Sequence, residues 1–114
     1  MTIAHVDATV DDGGRHVRFA VTGEVDLSNA DVVQEALLRA ISNEATTVSV
    51  DLGAVEYLDS AGLRLLYALA RRLETLQIAL ELVVPLDSPA RRVVELAGLA
   101  AVARLTPDAT PPFT

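Results

Sequence analysis

Thr47-Val48-Ser49-Val50-Asp51-Leu52, followed shortly by Tyr57-Leu58-Asp59-Ser60-Ala61-Gly62-Leu63, is the stretch whose reading decides the fold. Its first part is short, rich in valine and mostly apolar, the pattern of a strand covered on one or both faces. Its second part opens an amphipathic run from Leu63 to Leu76. Leu63, Leu66, Tyr67, Ala70 and Leu73 form an apolar stripe there, with Arg64, Arg71 and Glu74 on the wet side. Ser60 therefore falls where a strand-to-helix loop becomes a helix N-terminus. That position is exposed, rich in backbone N–H groups without helical partners, and favourable to an anion.

Working outward, the same two periodicities alternate along the chain. Ile3 to Ala8 reads as a first strand with one polar side, and Asp11-Asp12-Gly13-Gly14 as a turn. Val17, Phe19 and Val21 alternate with Arg18, Ala20 and Thr22 in a second strand, hairpin-paired with the first and closed by Gly23 to Leu27. Ser28 is the expected cap of a first helix, whose apolar positions are Val32, Val33, Ala36, Leu37, Ala40 and Ile41 and which ends at Asn43-Glu44. Val48 to Leu52 is the third strand, ended near Asp51, and the second helix starts near Ser60. Ile78 to Val84 reads as a fourth strand stopped by Pro85. Ser88-Pro89 starts a third helix, Arg91 to Ala97, that Gly98 ends. Ala101 to Leu105 is a candidate last strand.

The order β-β-α-β-α-β-α, with a final β candidate, predicts an α/β fold. The expected architecture is a mainly parallel sheet of four to five strands with an N-terminal antiparallel hairpin and three or four helices. One domain is expected over residues 3–106. Residues 107–114, with three prolines, read as a loose tail.

Composition narrows the function classes. With 51% hydrophobic residues the chain can bury a core, and with only 4% aromatics that core must be built from Ala, Val, Leu and Ile. A net charge of −7 argues against a sequence-independent hold on nucleic acid and suits a partner with a basic surface. Cysteine is absent, so no disulfide or thiolate metal site is available, and a cytoplasmic location is expected. No leader pattern and no apolar stretch of membrane-spanning length is present, so no membrane role is expected. His5 and His16, both in the first strands, and scattered carboxylates give no ligand spacing. No metal and no cofactor is expected. Catalysis by Ser60 is disfavoured, because G-x-S-x-G is missing and no histidine is near it in sequence.

Three segments, taken together and in order, resemble the STAS domain family of bacterial anti-sigma factor antagonists. They are Gly23-Glu24-Val25-Asp26; Val50-Asp51-Leu52 with Leu58-Asp59-Ser60-Ala61-Gly62-Leu63; and Ser88-Pro89 with Arg92 and Glu95-Leu96-Ala97-Gly98-Leu99. The resemblance covers about residues 5–105. One departure is Leu73-Glu74-Thr75-Leu76-Gln77, where many relatives carry a Gly-Gly pair. The resemblance implies an anti-anti-sigma factor. Such a protein binds an anti-sigma factor that is also a serine kinase, frees a sigma factor for transcription, is released by phosphorylation of Ser60, and is reset by a serine phosphatase. It further implies Asp26, Asp59, Ser60, Ala61, Gly62 and Arg64 as partner-binding residues, and a monomer when free. The alternative within the family is a non-switching subunit of a larger sensory complex or of a lipid-transport system. For Gly62 two readings stay open, a flat surface for the kinase or tight helix-to-strand packing. Asp59 is open between capping and partner contact.

Overall fold

Parallel strands need crossovers, and each α-helix among the described residues is one. The computed structural model describes residues 3–108. Strand β1 (Ala4–Asp11) turns through a 3-10 turn at Asp12–Gly14 into β2 (His16–Val25). Helix α1 (Ala30–Ala40) leads to β3 (Thr47–Leu58), and α2 (Ser60–Thr75) to β4 (Ala79–Val83). Helix α3 (Pro89–Leu96) and a 3-10 turn at Leu99–Ala101 lead to β5 (Arg104–Thr106). The sheet order follows the chain, β1-β2-β3-β4-β5, with β1 antiparallel to β2 and the remaining pairs parallel. Crossovers of one hand that all step in one direction put all their helices on one face of the sheet.

That face holds the core. Val17, Phe19 and Val21 of β2, Val48, Val50 and Leu52 of β3, and Leu80 and Leu82 of β4 meet Leu37, Leu65, Leu66, Leu69, Leu73 and Val94 from the helices. Branched aliphatics fill it, as the composition requires, and Phe19 is the one aromatic ring among the largest fully buried side chains. The stripe on α2 includes Leu65 and Leu69, both buried, while Leu63 is only half-buried. The opposite face is polar. Asp7, Thr9, Arg18, Ala20, Ser49 and Asp51 line a shallow hollow on it.

Several expected boundaries move. Strand β3 runs on to Leu58 rather than stopping near Asp51. Two register shifts against β2, between Ala20 and Thr22 and between Gly23 and Glu24, interrupt the period-2 alternation that marks a strand in sequence. Asp51 lies inside β3, where its Oδ1 accepts from the Gly53 N–H at 2.8 Å. Asn29, not Ser28, stands at the N-cap position of α1, with no side-chain bond to the helix, and Ile41 already has extended backbone. Beside the third motif's Arg92, Arg91 turns inward. Its guanidinium donates to the Val84 carbonyl at 2.8 Å, while Arg92 is exposed. Gln77 takes φ +59, the left-handed conformation that the Gly-Gly pair of many relatives would accept without strain. From residue 109 on, the expected tail lies outside the described residues.

Candidate functional site

Parallel strands deliver their C-terminal ends to one end of the sheet. Val25 of β2 pairs with Leu58 of β3, so the loops that follow them lie side by side. The Asp59 N–H donates to the Val25 carbonyl at 3.2 Å and fixes this junction.

One carboxylate then joins both loops. Asp59 is the N-cap of α2, with extended backbone, and its Oδ1 accepts from the N–H groups of Ala61 (2.8 Å) and Gly62 (3.1 Å). Its Oδ2 accepts from the Leu27 N–H at 3.2 Å. Asp26 organises the second loop. Its Oδ1 accepts from the Ser28 N–H (2.9 Å) and the Ser28 hydroxyl (2.6 Å), and its own N–H donates to Asn29 Oδ1 at 3.0 Å. Asn29 completes the clamp by donating from Nδ2 to the Glu24 carbonyl at 2.8 Å. Ser28, read from sequence as a helix cap, is spent inside the loop because Asn29 stands one residue closer to the helix.

Ser60 is the first residue of α2, exposed, and not its cap. The N–H groups of Ala61 and Gly62 that could have served an added anion are taken by Asp59. A charge added at Ser60 would thus stand beside an existing one. Arg64, exposed and one turn further along, is the cation at i+4 spacing. Of the residues singled out from sequence, the fold brings Asp26, Asp59, Ser60 and Arg64 to one end of the sheet. Ala61 and Gly62 are there too, but buried. A Cβ on Gly62 would run into the Leu58 side chain and lie 3.2 Å from the Val25 carbonyl oxygen. Gly62 thus sits in the helix-to-strand packing, where a Cβ would make Leu58 shift, and its side-chain position faces inward.

This arrangement matches a known family. The sequence profile of the STAS domain covers residues 6–109 of this chain. The chain belongs to the STAS domain family. Among its relatives, the anti-sigma-F factor antagonist RsfB of Mycobacterium tuberculosis is 32% identical over 101 residues, covering 88% of this chain and 80% of that protein. The crystal structure of an anti-sigma factor antagonist from Mycobacterium paratuberculosis superposes with a TM-score of 0.75 at 27% identity, covering 91% of this chain and 87% of that one. The anti-sigma factor antagonist SpoIIAA in its unphosphorylated form shares the fold, with a TM-score of 0.72 at 21% identity over 93% of this chain and 89% of that chain.

Two features of this STAS domain were not read from its sequence. Leu27 is 77% exposed at the apex of the Asp26 loop, and Tyr57 is 53% exposed at the same end of β3. An apolar residue between Asp26 and Ser28, outside any periodic run, was the available signal for Leu27. Among the described residues, no three His, Cys, Asp or Glu side chains gather where a metal ion could be held, and no helix is long and apolar enough to cross a membrane.

The Asp59 tie has a measurable weight. Asp59→Ala is expected to cost about 1–2 kcal/mol in urea unfolding, the range of a lost N-cap. Asp59→Asn keeps one acceptor oxygen and should recover most of that, since Asn and Asp cap about equally well. An Asn variant as unstable as the Ala variant would mean that the second acceptor, Oδ2 toward the Leu27 N–H, which Asn replaces with an NH2 donor, carries the tie between the two loops.

Proposed function

We propose that this STAS domain, over residues 3–106, is an anti-sigma factor antagonist that works in the cytoplasm. Unphosphorylated, it docks on an anti-sigma factor with serine-kinase activity and frees a sigma factor. Phosphorylation of Ser60 releases it, and a serine phosphatase resets it. The observation that carries this reading is the position of Ser60. It is exposed at the head of α2, next to a carboxylate that already occupies the helix-end donors. A phosphate of roughly −1.5 to −2 charge there has no preformed nest and projects into the docking surface. RsfB and the Mycobacterium paratuberculosis protein, named as antagonists of anti-sigma factors, support the same assignment.

The working surface combines acid with an apolar tip. Asp26 and Asp59 present negative charge toward a basic partner, and Leu27 stands out between them as an anchor for a partner pocket. The test mixes the purified chain with a cognate anti-sigma factor, with and without Mg-ATP, and follows co-elution and intact mass. A complex without ATP, and one phosphate mapped to Ser60 with dissociation after ATP, is expected. Phosphate mapped elsewhere, or no complex with an active kinase, would refute the assignment.

Leu27 refines the test. Burying a leucine side chain is worth about 1.5–3 kcal/mol, so Leu27→Asp should weaken the complex by roughly 10- to 100-fold. The thermal midpoint should stay in place, because the structural contact of this residue is its backbone N–H. Undiminished affinity by titration calorimetry would place the anchor elsewhere.

A further inference from the structure

Strand β1 is the outer strand of the sheet, and among the described residues no strand pairs with its free edge. One hydrogen bond fixes which backbone groups point outward. The Glu24 N–H donates to the Ile3 carbonyl at 3.0 Å, next to the pair Ala4↔Gly23. By antiparallel alternation, His5, Asp7, Thr9 and Asp11 bond to β2, and Ala4, Val6, Ala8 and Val10 aim their N–H and C=O groups outward. Edge strands are commonly guarded by Lys, Pro or shortness. This one runs eight residues, contains neither, and leaves Ala8, Thr9 and Val10 exposed, Val10 by 51%.

A second copy fits this edge in one register. With Ala8 opposite its twin on a two-fold axis, the outward groups of Val6, Ala8 and Val10 meet those of Val10, Ala8 and Val6. His5 then faces Asp11, and Asp7 faces Thr9. Every cross-strand pair is complementary: apolar with apolar, imidazole with carboxylate, carboxylate with hydroxyl. Moving the axis to Asp7 puts Asp7 against Asp7, and moving it to Thr9 puts Asp7 against Asp11. Moving it to Val6 leaves Thr9 to Asp11 outside the ladder formed by β1.

We propose that this chain forms an antiparallel homodimer through β1, with Ala8 on the two-fold axis and the two sheets continuous. The free monomer expected from sequence is then the dilute form only. A single strand pair buries less than the ~1,200 Å² at the low end of stable interfaces, so the dimer is weak and concentration-dependent. Ser60 follows β3, two strands in from this edge, so the dimer leaves it accessible. The inference stands or falls separately from the assignment of Ser60.

The absence of native cysteine makes the register readable. Val6→Cys, Asp7→Cys, Ala8→Cys and Thr9→Cys are oxidised beside an exposed control, Glu74→Cys. Ala8→Cys should cross-link roughly tenfold faster than the others, because its twin Cα atoms sit about 5.5 Å apart, inside disulfide range. Sedimentation velocity should show the mass of the native chain rising with concentration. Ala8→Arg, which sets two guanidinium groups face to face, should stay monomeric with an unchanged circular dichroism spectrum. Fastest cross-linking at residue 6, 7 or 9 would overturn the register. A native chain that stays monomeric, or four positions no faster than the control, would overturn the dimer.

Discussion

Ser60→Asp is expected to weaken the complex with the anti-sigma factor by roughly a hundredfold, about 3 kcal/mol, while leaving the unfolding midpoint nearly unchanged. The two halves of this result have separate causes. Stability is spared because the side chain is exposed at the first position of α2, an acidic residue is welcome in a first helical turn, and Arg64 lies at i+4. A surface change of this kind normally stays within about 0.5 kcal/mol. Affinity is lost because the new charge joins Asp59 and Asp26 on a surface where the Ala61 and Gly62 N–H groups already serve Asp59. A docked partner would have to bury it without a counter-charge. Calorimetric titration and a thermal scan on the same samples separate the two effects. Equal affinity for both proteins would show that the site does not read charge at Ser60. A collapsed midpoint would show that the hydroxyl is structural.

Gly23→Ala should be the most damaging single-atom-scale change in the molecule. Gly23 has φ +92, and a Cβ there would overlap the Ile3 backbone carbonyl, the group that accepts from Glu24. A backbone carbonyl held by the Glu24 N–H, one residue before β1, cannot swing aside as a side chain can. The left-handed conformation alone costs a non-glycine residue about 1–2 kcal/mol, and the steric conflict brings the total to about 3 kcal/mol or more. For a chain of this size that is roughly 12–20 °C in unfolding midpoint. Gly13 is the control. Its φ is +64 but nothing lies within 4 Å of its Cβ position, so Gly13→Ala should lose only the backbone share. Equal losses at the two positions would mean that the chain yields at Ile3, just ahead of β1.

Most of the element order was legible because it rests on apolar spacing, which tertiary structure seldom contradicts. The placement of Ser60 at the head of a helix came from the same source. What stayed hidden depends on single-residue offsets. Asp59 and Ser60 are adjacent and both suit a cap, and so are Ser28 and Asn29; sequence alone does not say which one the last loop residue will be. In each pair the cap is the residue immediately before the helix, and that boundary is set by the strand ends behind it. The second half of β3 was hidden for another reason. Its register shifts break the alternation by which a strand is recognised, so Gly53 to Leu58 read as loop. Leu27 was invisible because exposure of an apolar loop residue is a property of the folded surface, not of any periodicity. The packing role of Gly62 was one of two open readings until Leu58 and Val25 were seen against it.

The distribution of tyrosines has a practical side. The chain has no tryptophan and two tyrosines. Tyr67 is tied by its hydroxyl to the Ala97 carbonyl at 2.5 Å, between α2 and the end of α3, whereas Tyr57 is exposed two residues before Asp59. Ultraviolet emission from this protein therefore comes from one ring fixed against the scaffold and one standing at the mouth of the site. A partner that seats over Ser60 is expected to change the surroundings of exposed Tyr57 while leaving the hydrogen-bonded Tyr67 as it is. The molecule thus has a native optical gauge of occupancy, readable without a label, with its own internal standard.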